Sequence, residues 1–151
     1  WGVMIAVLGV ALLPYVVINA VYGASLLESV NYLEHYGLVR QKRDNGRYER
    51  CTPQHSWNSD HTVTNLFLYH LQRHSDHHAN PTRRYQTLRS FDDSPNLPAG
   101  YGALIGVTYF PPLWRRLMDH RVLAHYDGDI TRANISPRRR EEILARYQTV
   151  R

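Results

Sequence analysis

The chain has 151 residues and carries a net charge of +5 with its histidines neutral. That length holds one modest domain and excludes two. The single cysteine, Cys51, excludes an intramolecular disulfide and any cysteine-built zinc or iron–sulfur site. The charge is unevenly laid. Residues 1–39 contain Glu28 and Glu34 and no Lys or Arg, a net −2, which leaves +7 for the remainder, nearly all of it arginine. A basic half of this kind suits nucleic acid, an anionic membrane surface or an acidic protein. The chain starts at Trp1 rather than Met and runs at once into apolar sequence, as expected of a piece of a longer protein.

Trp1 to Leu27, WGVMIAVLGVALLPYVVINAVYGASLL, contains no charged residue. A bilayer span needs roughly 20 apolar residues, so residues 1–30 are predicted to form a transmembrane helix. A signal peptide would show a basic leader, a shorter apolar region and a cleavage site, and none is present. Pro14 is tolerated in a membrane helix. Arg40, Lys42, Arg43, Arg47 and Arg50 follow closely, and basic residues beside a span mark its cytoplasmic end. Residues 31–151 are therefore expected to form a cytoplasmic cap, and the fold class expected is all-α and integral to the membrane.

QKRDNGRYERCTPQHSWNSD reads as loop or a short hairpin turning at Asp44-Asn45-Gly46. From about Asp60 to Ala79 one helix is predicted, without internal Pro or Gly and stopped by Asn80-Pro81. Residues 92–102 read as loop. Tyr101 to Trp114 is apolar but too short to span and is expected to be interfacial or buried. Met118–Tyr126 and Pro137–Tyr147 are predicted short helices.

Nine histidines are present, and they cluster. In the continuous helix expected here, His70, His74, His77 and His78 stand at offsets 0, +4, +7 and +8 and form one stripe. In LQRHSDHHANP, His74, His77 and His78 can thus converge on a point beyond that helix. Imidazole suits zinc, copper, iron and nickel, and the zinc-protease pattern H-E-x-x-H is absent. His35, in NYLEHYGL at the end of the membrane helix, is a fourth candidate ligand. That is too many imidazoles for one tetrahedral zinc and too few for two metals, so further ligands are expected upstream of Trp1. A metal-bound histidine gives its other N–H to a carboxylate, carbonyl or water. Glu34, Asp60 and Asp76 are the nearest carboxylates, and His61 and His70 are further imidazoles close by. His55, His120 and His125 are given no metal role.

NYLEHYGL, SWNSDHTVTNLFLYH and LQRHSDHHANP together resemble the C-terminal part of the membrane-bound alkane 1-monooxygenases, the rubredoxin-dependent diiron alkane hydroxylases. HxxHH alone would indicate only the wider group of membrane desaturases and hydroxylases. The resemblance runs from the last membrane helix to about Arg140. It implies a fragment of a six-helix membrane fold whose cap holds two iron ions on nine histidines from four boxes. This chain carries the EHYG histidine, His35, and the final box, His74, His77 and His78. The other two boxes lie before Trp1, so the fragment alone is expected to be inactive.

The activity implied is O2-dependent hydroxylation of n-alkanes to 1-alkanols, with rubredoxin, a small acidic protein, as electron donor. The implied place is the inner membrane with the cap cytoplasmic. Val3 to Tyr22 could form one wall of an apolar substrate channel. Arg40, Lys42, Arg43, Arg83 and Arg84, with Arg89 and Arg138–Arg140, are expected to meet the acidic donor or phospholipid. Two rival readings stay open: a related acyl desaturase or hydroxylase, and a zinc-binding membrane protein closed by His35 and the triplet. Nucleic-acid binding is not expected, because the basic residues follow a span rather than a recognition motif.

Overall fold

The computed structural model describes residues 1–148, so the last three residues of the expected cap lie outside it. The apolar N-terminal stretch is helical in two pieces. α1 (Gly2–Leu8) stops at Gly9, whose φ of 88° lies in the region that favours glycine. A 3₁₀ turn over Val10–Leu12 then leads into α2 (Leu13–His35). Pro14 occupies the first turn of α2, where a missing N–H costs nothing, so it starts the long helix rather than kinking it.

Val10–His35 is long and apolar enough to cross a membrane. Val17, Ile18, Val21, Tyr22 and Leu27 are exposed along it, and only Ser29, Leu33 and Glu34 are buried. A helix apolar all round and uncovered over most of its length suits lipid or neighbouring membrane helices better than a soluble core. α2 continues unbroken past residue 30 and carries Glu34 and His35 on its last turn.

The chain then doubles back as a hairpin held by a single bridge between Lys42 and Tyr48, with Arg43 N–H donating to the Arg47 carbonyl over 2.8 Å and Gly46 at φ 77°. The turn expected at Asp44-Asn45-Gly46 is thus present. No strand longer than an isolated bridge occurs among the described residues.

The helix predicted from Asp60 to Ala79 is broken. α3 covers only Thr62–Phe67 and α4 only His74–Ala79. Between them Tyr69 and His70 adopt positive φ, 51° and 59°, at a cost of roughly 1–2 kcal/mol for each non-glycine residue. Tertiary bonds hold this turn. His70 N–H donates to the Asn65 carbonyl, and the buried Gln72 side chain accepts from Thr64 Oγ1 at 3.0 Å and from Tyr101 N–H at 2.8 Å. The stripe expected from His70 to His78 therefore does not exist as one helix face.

The second correction concerns Pro111-Pro112. They do not end an apolar segment; they open a helix. α5 (Tyr101–Thr108) stops at Tyr109, Phe110 leaves helical geometry at φ −117° and ψ 80°, as a following proline disfavours the helix there, and α6 runs Pro111–His125. The expected helix at Met118–Tyr126 is the second half of α6. α7 (Arg140–Gln148) follows a 3₁₀ turn at Pro137–Arg139.

α5 and α6 pack on the last turns of α2. Leu33, Trp57, Tyr101, Leu104, Trp114, Met118 and Val122 form the core, and Tyr109 Oη pairs with Ser25 Oγ at 2.8 Å further up α2.

Gly37 closes this packing. It sits at φ 72°, and a Cβ there would approach Val122 Cγ2 to 2.6 Å. Gly37→Ala is expected to destabilise the fold by about 2–4 kcal/mol, adding left-handed strain to an overlap with α6. Thermal unfolding of the variant checks this, and Val122→Ala in the same chain should recover part of the loss.

Candidate metal centre

One long helix and one short one bring the imidazoles together. α2 delivers His35 from its final turn, and α4 delivers His74 and His78, one helical turn apart. Nε2 of His74 lies 3.3 Å from Nε2 of His35 and 2.7 Å from Nε2 of His78. One ligand atom from each of the three residues falls within 4.8 Å of the others. A metal with bonds of about 2.1 Å to imidazole nitrogen spaces its donors by roughly 3.0–3.4 Å, so His74 Nε2 already stands near that spacing from each of its two neighbours.

The donor set is also in the right protonation state. Burial, reinforced by the neighbouring rings of His78, His35 and His77, pushes His74 down to about 3. Burial likewise lowers His78, with His35 and His77 adding to the effect. Both rings are therefore neutral near pH 7 and offer lone pairs. The residues present fit a metal ion held by histidine nitrogen.

His77 stands slightly apart. It is exposed, with its ring centroid 6.0 Å from that of His74 and 5.8 Å from that of His78. It lies next to the cluster but outside the group of three. His70, on the strained turn before α4, is not brought in, and its Nδ1 is buried without a hydrogen-bond partner among the described residues. His61 precedes α3 as its N-cap residue, with its side chain against Gly100.

The three carboxylates expected around the ligands have three different fates. Glu34 is buried beside the cluster. Its Oε2 lies 3.2 Å from His74 Nε2, the same nitrogen that faces the other rings, and its Oε1 accepts from Tyr101 Oη at 2.8 Å. Asp76 is fully buried but makes no hydrogen bond to a histidine side chain among the described residues. It accepts from Arg83 Nη1 at 2.6 and 2.7 Å, from Asn80 Nδ2 at 2.7 Å and from Arg89 N–H at 2.8 Å. Burial alone would raise its carboxyl, and these donors hold it below the usual carboxylate range. Asp60 is exposed, accepts from Ser90 Oγ at 2.5 Å and lies 3.8 Å from Arg73 Nε.

What braces the ligands was not apparent from the sequence. His35 Nδ1 faces the His55 carbonyl and Ser56 Oγ, each at 3.4 Å. Trp57 straddles His35: its N–H donates to the Glu34 carbonyl and its indole N–H to the Tyr36 carbonyl, both over 2.8 Å. Asn58 then grips α4 beside His74, with Nδ2 donating to Ser75 Oγ at 2.6 Å and Oδ1 accepting from Ser75 N–H at 3.0 Å. Ser56, Trp57, Asn58 and Ser59 are all buried. Four consecutive buried residues, three of them polar, look like ordinary loop in a sequence. Here they are the brace between the two ligand-bearing helices.

The basic residues divide. Arg40, Lys42, Arg43 and Arg84 are exposed, Arg40 with its guanidinium 5.8 Å from the Tyr48 ring centroid. Arg83 is engaged by the buried Asp76.

The profile of the family described as "Fatty acid desaturase" matches residues 1–107, which include every ligand candidate above. The chain belongs to that family. Among its relatives, it is 57% identical over 144 residues to an alkane 1-monooxygenase of Acinetobacter baylyi, covering 95% of this chain and 35% of the relative. It is 62% identical over 111 residues to alkane 1-monooxygenase 2 of Pseudomonas aeruginosa, covering 74% and 29%. At 28% over 120 residues it also matches the hydroxylase component of a xylene/toluene monooxygenase of Pseudomonas putida, covering 79% and 31%. The chain thus spans about a third of the length of these desaturase-family relatives.

A pH effect follows from His74. Its folded pKa of about 3 lies below the ordinary 6.5, so under acid the unfolded chain takes up a proton that the fold refuses. His74's own contribution to the stability of the metal-stripped protein is therefore complete above about pH 6.5 and falls as the pH drops towards 3. Glu34, 3.2 Å away and raised by burial to about 7, contributes in the opposite sense, stability that is lost as the pH rises through about 7. The His74 part is read by comparison: between about pH 7.5 and about pH 5 the urea midpoint of His74→Gln should fall less, or rise more, than that of wild type.

Proposed function

We propose that this chain is part of a membrane alkane hydroxylase, an oxidoreductase that inserts oxygen from O2 into the terminal C–H bond of n-alkanes at a histidine-ligated diiron centre. The observation that carries the reading is the convergence of His35, His74 and His78 from two separate sequence motifs onto one point. The similarity to proteins named alkane 1-monooxygenase supports the same reading.

Two iron ions would be held by His35, His74, His77 and His78, together with histidines from residues before Trp1. When bound, they would supply the oxygen-activating chemistry, with the two electrons coming from the external donor protein. The chain's own residues do the rest. Burial keeps the imidazoles neutral and available as ligands. Glu34, 3.2 Å from His74 Nε2 and steadied by Tyr101, places a carboxylate oxygen where it can take or return a proton beside the ligand nitrogens. An alkane offers no hydrogen bonds, so its binding rests on apolar surface, and the Val3–Tyr22 stretch, which leads into the helix that ends at His35, would supply such surface.

In this reading the chain contributes the last of six transmembrane helices, residues 1–30, and a cytoplasmic cap, residues 31–151, in the inner membrane. The exposed Arg40, Lys42, Arg43 and Arg84 would steer an acidic electron donor, rubredoxin, towards the cap. Arg83, half-buried, pairs with Asp76.

The test uses the full-length parent protein in membranes. His78→Ala and His77→Ala should each lower the yield of 1-alkanol by about 100-fold or more, while the protein remains in the membrane fraction. Gas chromatography of products from a medium-chain alkane checks this. A wild-type rate in either variant would remove that histidine from the ligand set.

A further inference from the structure

His35 is held from behind by another histidine. Its Nε2 faces His74, so its Nδ1 is the nitrogen turned away from the cluster. That Nδ1 lies 3.4 Å from the His55 carbonyl and from Ser56 Oγ. A carbonyl can only accept, so this partner favours a proton on Nδ1 and leaves the lone pair on Nε2, where a metal needs it.

The carbonyl is itself fixed by the ring of the same residue. His55 ends a 3₁₀ turn at Pro53–His55. Its Nδ1 accepts from Thr52 N–H at 2.9 Å, which places the ring proton on Nε2, and Nε2 donates to Glu49 Oε1 at 2.8 Å. Glu49 Oε1 also accepts from Gln41 N–H at 2.8 Å, while Glu49 N–H donates to the Gln41 carbonyl at 3.0 Å. The hairpin that follows α2 therefore returns a carboxylate to the turn that faces α2's own ligand.

We propose that His55 is a positioning residue for His35: with its ring anchored between Thr52 and Glu49, it holds its main-chain carbonyl against His35 Nδ1 and so sets that ligand's tautomer and ring orientation. This rests on the reading of His35 as a metal ligand. It gives the hairpin at residues 42–48 a task that its exposed tip does not suggest. It also separates His55 from His125, whose ring centroid lies 6.3 Å from that of Trp57 and which makes no hydrogen bond to His35 among the described residues.

The experiment uses the full-length parent protein, purified from membranes and loaded with ⁵⁷Fe. The rate at which a ferrous chelator strips the iron is measured with the Mössbauer spectrum and the melting temperature, in wild type, His55→Ala, Glu49→Ala and His55→Gln. His55→Ala and Glu49→Ala are expected to release iron about 10–100-fold faster than wild type, with an altered quadrupole splitting. His55→Gln, whose amide can still donate to Glu49, is expected to recover part of the difference. Glu49 is partly exposed, so its variant decides the matter should His55→Ala fail to fold. Wild-type release rates and spectra in folded His55→Ala or Glu49→Ala overturn the proposal. So does equal acceleration in all three variants with lowered melting temperatures, which would be loosening of the fold at large. A wild-type protein that binds no iron overturns the ligand reading itself, and is told apart because the failure precedes any substitution.

Discussion

The arrangement depends on Trp57. The last carbonyls of a helix have no partner within it, and at the end of α2 two of them, Glu34 and Tyr36, are taken by the main-chain and indole N–H groups of this one residue. Both bonds flank His35. By satisfying the helix end, Trp57 fixes where α2 stops and which way its last side chains point. It also brings Ser56 and His55 behind His35, and Asn58 onto Ser75 next to His74. The two helices that carry the candidate ligands touch the same four-residue brace, so hydrogen bonds to a loop set their relative position together with the direct contacts of Glu34 and His35 with His74.

Buried polar contacts dominate around this brace. Ser56, Asn58, Gln72, Ser75 and Asp76 are almost completely shielded from water, and each has a partner within hydrogen-bonding distance. Such a network is costly if any member is left unsatisfied and rigid when all are satisfied. Rigidity matters where three neutral imidazoles must be kept close without a proton between them. The strain at Tyr69 and His70 has the same purpose, since it lets the chain turn sharply and start α4 with His74 facing α2.

Much of this was legible, and the limits have physical causes. The apolar stretch, the turn at Asp44-Asn45-Gly46 and the pairing of His74 with His78 are local patterns, readable from spacing alone. His35 could be tied to them by its motif. The break between α3 and α4 could not, because no Pro or Gly marks it. It is imposed by Gln72 bonding to Tyr101, 29 residues further on. Asp76 looked available to a ligand nitrogen, but Arg83, seven residues along, claims it. The groups that do face His35 Nδ1 are a main-chain carbonyl and a serine, and main-chain partners leave no mark on a sequence.

The chain joins an apolar helix to a polar metal cradle with almost nothing between, since Glu34 and His35 are the last turn of the same helix that carries the exposed Val17, Ile18 and Val21. In the proposed reading, that continuity lets a substrate without polar groups approach the metal from the lipid side. The identity of the metal is the central matter of that reading. Elemental mass spectrometry on the full-length parent protein, purified from iron- and zinc-replete cells, addresses it directly. Two irons per chain are predicted, falling in a His35→Ala variant. Stoichiometric zinc with little iron in the wild type would contradict the account and turn the same three imidazoles into a zinc site.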